Sequence, residues 1–278
     1  MAADPMKSIR EILNLGKQTP TASDSKNKFG TYYTGANYSL KPIEKIHNCD
    51  KCQDTEIVVV GQDPHGLMIY AECTCKAKKN AERKLKSSGL KAQQLKYTLD
   101  GYIVNRENKE MWLGVKRYLR AWPELLYSDS ESKGFCLVGN AGIGKTMLAC
   151  IIAKDMLDKG IQIVFVSSAD LLAELKDAMF SKNDEGIEKK MDYLAKVQVL
   201  VLDDIGKEKP TEWVQSMYYR LIDMRYRNNL LTGFTTNYYP KQLEERLGDF
   251  GEATVSRILG MSKEHLLYAK DFDHRTTR

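Results

Sequence analysis

The chain has 278 residues, enough for one full α/β domain plus a smaller unit. Its formal charge of +5 at neutral pH permits contact with nucleic acid but equally suits an ordinary soluble enzyme. No apolar run approaches the roughly 20 residues that a membrane span requires, and the N-terminus lacks the apolar core of a signal peptide, so a cytoplasmic protein with no membrane partner is expected.

The first segment, residues 1–43, reads as a short helix followed by a polar linker. Asp4 suits an N-cap, Pro5 the first helical position and Gly16 a stop, with Met6, Ile9, Ile12 and Leu13 on one face. That face either docks on a partner or packs on its own domain. The text then turns polar and rich in Gly, Ser, Thr and Asn, without sustained period.

Residues 44–76 hold four of the six cysteines, as "CDKC" and "CTC" separated by twenty residues that include the apolar "EIVVV" and the turn-like "GQDPHG". In a reducing compartment such a cluster reads as a metal site rather than a disulfide framework. A hairpin bringing Cys49, Cys52, Cys73 and Cys75 together supplies four thiolates in a tetrahedron, the closed arrangement of structural Zn²⁺. Free thiols, or a mixed site using His47 or His65, are the alternatives. Cys136 and Cys150 lie in apolar surroundings and read as core.

Residues 77–129 read as a basic helical linker. Its opening, "KAKKNAERKLKSSGLKAQQLK", carries eight basic residues against one acidic, and a helix broken near Ser87 to Gly89 is expected. This helix either is simply solvated or contacts nucleic acid.

From 130 to 278 apolar strands alternate with helices: "GFCLV", "IQIVFVSS", "VQVLVLDD", "LLTGFTTN" and "EHLLYAK". That pattern predicts an α/β fold, a parallel sheet with helices on both faces. Between the first strand and its helix stands "GNAGIGKT", which matches G-x-x-x-x-G-K-[ST] in the context the motif needs. The glycines Gly139, Gly142 and Gly144 let backbone N–H groups converge on phosphate oxygens, beside the positive end of the helix dipole. Asn140, Ala141, Ile143 and Met147 complete the predicted nucleotide-binding loop. Lys145 is expected on the β and γ phosphates of a nucleoside triphosphate, and the Thr146 hydroxyl on Mg²⁺. "VQVLVLDD" delivers two carboxylates at the end of a strand where ligands bind in open parallel sheets. Asp203 is expected to hold Mg²⁺ and Asp204 to orient or activate the attacking water. Asn237, at the tip of "LLTGFTTN", can hydrogen-bond the γ-phosphate or that water.

Loop, acidic pair and polar strand tip in this order resemble the AAA+ ATPases, with Asn237 in the sensor-1 position. The text beyond, "VLVLDDIGKEKPTEWVQSMYYRLIDMRYRNN" and "TTNYYPKQLEERLGDFGEATVSRIL", resembles the replicative helicase loaders of the DnaC/DnaI type and the related IstB transposition ATPases. The cysteine segment is similar to the zinc-binding N-terminal region of DnaI-type loaders. This resemblance implies an ATPase acting in DNA replication, with a hexameric replicative DNA helicase and single-stranded DNA as partners and with self-association through the AAA+ domain. It places Arg257 of "TVSRIL" as an arginine finger reaching a neighbouring subunit's nucleotide, against the alternative of a solvated helix arginine. The sequence departs from most AAA+ proteins in that only eight residues follow "EHLLYAK", too few for a helical lid, so no C-terminal lid domain is expected and Arg275 is the nearby candidate for a lid-type sensor arginine. Asp204 stands where most AAA+ proteins have Glu, so slow hydrolysis is expected. Lys176, Lys182, Lys189 and Lys190 are candidates for a strand-facing surface, in a segment that equally suits a solvated helix. The rival readings are a transposition-regulating ATPase of the IstB kind and a nucleotide-gated adaptor with negligible turnover.

Overall fold

The computed structural model describes residues 48–180 and 185–269. The N-terminal helix and linker, His47, Lys182 and Arg275 lie outside the described residues. The chain divides into two compact units, with the boundary between Glu82 and Arg83. Among the described residues no helix is long and apolar enough to cross a membrane.

The first unit is built on an antiparallel hairpin of β1 (Ile57–Gln62) and β2 (Met68–Glu72). "DPHG" makes its turn: the Asp63 carboxylate accepts the N–H groups of His65 and Leu67, each at 2.9 Å, and Gly66 takes a positive φ. The helix α1 (Thr74–Ser87) follows and stops where the sequence predicts, at Gly89. Gly89 has φ +73°, and a Cβ there would lie 2.2 Å from the Phe165 carbonyl oxygen, so only glycine fits.

The second unit contains a parallel sheet of β3 (Phe135–Val138), β4 (Ile163–Ser167), β5 (Val199–Ile205), β6 (Thr232–Thr236) and β7 (Leu266–Tyr268), in the order β4-β5-β6-β3-β7. The strands are apolar throughout because both faces are covered. On one face lie α4 (Ser168–Phe180), α5 (Glu185–Lys196), α6 (Glu212–Arg227), α7 (Pro240–Leu247) and α8 (Gly251–Ser262). Their Leu171, Leu194, Tyr218, Leu243 and Ile258 share one core with alternate strand residues such as Cys136, Val138, Leu200 and Leu202. On the other face α3 (Lys145–Asp158) packs against β4, β5 and β6.

A further helix, α2 (Lys109–Leu125), packs against α3 and β7. It buries Met111, Val115, Tyr118 and Trp122 at helical spacing, and the Trp122 indole donates to the Asp155 carboxylate at 2.8 Å. The sequence boundary at 129/130 therefore does not mark the edge of this unit. The stretch expected as a linker is amphipathic, and its apolar stripe closes the core of this unit.

Arg225 is fully buried, with no carboxylate partner among the described residues. Its guanidinium donates to the carbonyls of Leu194, Val197 and Leu231, each at 2.8 Å, and to the Thr232 hydroxyl at 2.9 Å. The planar fork thus terminates α5 and ties it to the entry of β6. Burial pulls the guanidinium's pKa down to about 9.

Candidate nucleotide site and cysteine centre

The loop between β3 and α3 bends at Gly142 (φ +82°) and Gly144 (φ +93°). Gly144 is also pressed by a side chain, since a Cβ there would lie 2.5 Å from the Tyr102 ring. The Tyr102 hydroxyl donates to the Ile143 carbonyl at 2.6 Å, so this tyrosine braces the loop from outside. A cavity of about 470 Å³ opens between residues 101–108 and the loop residues Asn140, Ala141, Gly142, Ile143, Gly144 and Met147. Every loop residue between Asn140 and Gly144 expected to bind nucleotide, and Met147, therefore lines one cavity.

Lys145 folds back onto its own loop, only 6% exposed. Its ammonium donates to the carbonyls of Gly139 at 2.7 Å and Asn140 at 2.9 Å, and to Asn237 Oδ1 at 2.6 Å. Burial holds its pKa down to about 8, against the opposing pull of the Asp204 and Asp203 carboxylates.

The end of β5 carries both acids. Asp203 is buried and accepts from the Thr146 hydroxyl at 3.0 and 3.1 Å and from the Thr235 hydroxyl at 2.7 Å. Burial raises its pKa, and the two hydroxyls oppose the rise. The β5–β6 register breaks between Leu202 and Ile205, and Asp204 there takes φ +64°, a conformation an aspartate tolerates better than a branched residue. Thr235 replaces the lost ladder bond: its hydroxyl oxygen accepts the Asp204 N–H at 2.8 Å while donating to Asp203. Asn237 joins the two halves of the site, accepting from Lys145 and donating from Nδ2 to Asp204 Oδ1 at 2.7 Å. Lys207 meets the other oxygen of Asp204 at 2.7 Å.

Lys145, Thr146, Asp203, Asp204 and Asn237 are thus brought into one hydrogen-bonded chain. Arg257 lies elsewhere, on α8. It donates to Asp223 at 2.6 Å, to the Ala253 carbonyl at 2.8 Å and to the Tyr219 hydroxyl at 3.2 Å, and its guanidinium stacks over the Tyr219 ring. Tyr102, Thr235 and Lys207 were missed in the sequence as site residues. Thr235 left a signal, a polar residue inside an apolar strand; Tyr102 left none, since its partner is 41 residues away.

In the first unit the four cysteine sulfurs of Cys49, Cys52, Cys73 and Cys75 all lie within 4.8 Å of one another. Cys49 Sγ is 3.7 Å from Cys73 Sγ and Cys52 Sγ is 3.3 Å from Cys75 Sγ, far beyond a disulfide bond. Tetrahedral Zn²⁺ with Zn–S near 2.3 Å sets its sulfurs roughly 3.8 Å apart, so the cluster has the size of such a site. The Cys52 backbone N–H holds the Cys49 thiol down to about 7, while the hydrogen bond with the Cys52 thiol pushes Cys75 up. His65 sits in the hairpin turn, outside the cluster. Cys136 and Cys150 are core residues as expected, and burial pushes both thiols up to about 12.

Comparison with known proteins supports the same assignment. The replicative helicase loader DnaI of Bacillus subtilis (strain 168) is 27% identical over 247 residues, covering 81% of this chain and 76% of DnaI. The replicative helicase loader DnaC of Escherichia coli (strain K12) is 24% identical over 169 residues, 60% of this chain and 66% of DnaC. A crystal structure of the DnaC helicase loader superposes with a TM-score of 0.54 at 30% identity, covering 65% of this chain and all of that one. The family described as IstB-like ATP binding protein matches residues 62–266, most of the sequence. With the phosphate loop, acidic pair and strand-tip asparagine assembled on a parallel sheet, the chain belongs to the IstB-like ATP-binding proteins.

Proposed function

We propose that this protein is an ATP-hydrolysing loader that binds a hexameric replicative DNA helicase and delivers it to single-stranded DNA. The observation that carries this reading is the similarity to the replicative helicase loader DnaI, which extends over both the ATPase unit and the chain before it. The IstB-like family name also covers transposition ATPases, but a cysteine module preceding the ATPase favours the loader.

ATP would enter the cavity beside the loop, with Lys145 exchanging its carbonyl partners for the β and γ phosphates. Thr146 and Asp203, whose oxygens already converge, would hold Mg²⁺, which takes oxygen ligands and neutralises phosphate charge. In hydrolysis a water oxygen attacks the γ-phosphorus, its proton passes to Asp204, and the bond to the ADP oxygen breaks. Asp204 is one methylene shorter than Glu, which favours slow turnover.

The cysteine module would hold one Zn²⁺ and present the helicase-binding face. By register, Ile57, Val59, Met68 and Tyr70 lie on one side of the hairpin, each roughly half exposed, an apolar patch suited to a protein partner. On the ATPase unit, Lys176 lies over Trp213 and Lys190 pairs with Glu174, so both would exchange these partners for DNA phosphates. Arg275 is proposed as the sensor arginine on sequence grounds alone.

Capture of the source organism's replicative helicase by the tagged full chain, with ATP, ADP or no nucleotide, tests the reading. Nucleotide-dependent retention of the helicase is expected. Retention of a transposase in its place would overturn it.

Arg257 would act in trans, leaving Asp223 for the nucleotide of a neighbouring copy. Asp223 would keep Arg227, which binds its other oxygen at 2.8 Å. Arg257→Ala should therefore bind nucleotide normally but lose assembly-dependent hydrolysis. Mixed with Asp204→Asn, it should recover activity at sites formed between the two variants. Intact assembly without any recovery would exclude action across the interface.

A further inference from the structure

The acid expected to take the water's proton is already occupied on both oxygens. Asp204 Oδ1 accepts from Asn237 and Oδ2 from Lys207, at 2.7 Å each. Asn237 is explained by the site; Lys207 is not. The lysine reaches back three residues because Gly206 turns the chain with φ +92°, and the turn itself is fixed. The Arg246 side chain donates to the Gly206 carbonyl at 2.9 Å, while a Cβ at Gly206 would lie 2.6 Å from the Leu243 side chain. The lysine head is therefore delivered to Asp204 by a built turn, although its side chain is 65% exposed.

An ammonium seated on the oxygen that must receive a proton competes with the water for that oxygen. We propose that Lys207 is a positioning residue that restrains hydrolysis, holding Asp204 away from the attacking water until the ion pair opens. This inference rests on the hydrolysis reading above. An exposed ion pair is weak, so Lys207 slows turnover rather than blocking it. Asn237, which holds the other oxygen, is itself tied to Lys145, whereas Lys207 reaches Asp204 from outside that chain of site residues.

The test measures steady-state ATP hydrolysis by the full chain, comparing the parent with Lys207→Ala, Lys207→Arg, Asp204→Asn and the Lys207→Ala/Asp204→Asn double variant. Fluorescent ADP binding is measured in parallel. Lys207→Ala should raise kcat about fivefold, with ADP affinity unchanged. Lys207→Arg should behave as the parent because it keeps the pair, and the double variant should match Asp204→Asn because the gain passes through Asp204. A Lys207→Ala rate at or below the parent's, with both above Asp204→Asn, would overturn the restraint and leave the ATPase reading standing. Equal rates for parent, Lys207→Ala and Asp204→Asn would overturn the ATPase reading and the restraint with it. A loss of about tenfold in ADP affinity for Lys207→Ala would make Lys207 a phosphate ligand and overturn the proposal.

Discussion

Lys145→Ala is expected to weaken nucleotide binding by roughly a hundredfold, about 3 kcal/mol, because charge-assisted hydrogen bonds to two phosphates are lost together. The sequence suggests a lysine that meets only phosphate. The structure shows that it also ties the loop, through the carbonyls of Gly139 and Asn140 and through Asn237. Asn140 lines the cavity and Asn237 is partly exposed, so water replaces the ammonium at both, and the loss of the buried bond to Gly139 should lower the thermal midpoint by no more than about 4 °C. Equilibrium titration with a fluorescent, non-hydrolysable ATP analogue and a circular-dichroism melt check both statements. Equal nucleotide affinity in variant and parent would remove the phosphate-loop assignment. A collapse of the fold would instead make the lysine mainly structural.

Removal of metal is expected to unfold the cysteine module and leave the ATPase unit folded. Within the module's described residues, the buried apolar side chains are Cys52, Cys73 and Ala81, and two of these are ligand candidates. Ile57, Val59, Met68 and Tyr70 on the hairpin are exposed, so the strands have no apolar core of their own. A two-stranded hairpin is marginal alone in water, and four thiolates around one ion would replace the missing core. Protein purified without chelators should contain about one zinc per chain. Chelation, or Cys49→Ser or Cys73→Ser, should abolish hydrogen-exchange protection between residues 56 and 73 and strongly reduce helicase capture. ADP affinity should change little, because the ATPase unit has its own sheet and core. Absence of zinc, or protection that survives chelation, would refute the structural claim; helicase capture undiminished by the cysteine variants would refute the functional one.

Much of the site is legible in the sequence because its chemistry is local. A phosphate loop needs consecutive backbone N–H groups, so "GNAGIGKT" must be contiguous, and a strand must deliver Asp203 and Asp204 together at its end. The closely spaced cysteine pairs mark a candidate metal cluster for the same reason. Alternating apolar strands and helices state the fold class, since each strand buried on both faces has to be apolar throughout.

Sheet order decided the rest. Placing β6 beside β3 brings Asn237 to Lys145 across 92 residues, and placing it beside β5 lets Thr235 bridge the Asp203 carboxylate and the Asp204 backbone N–H. No local pattern announces that Tyr102 braces the loop, that α2 completes the core, or that Arg225 can be buried on three carbonyls and a hydroxyl. Sequence by itself determined which residues are able to bear the chemistry, because residue type and short-range spacing limit what can bind phosphate, magnesium or zinc. Tertiary structure alone decided which of them touch, because a hydrogen bond requires its two groups within about 3 Å, and only the packed sheet brings such distant segments that close.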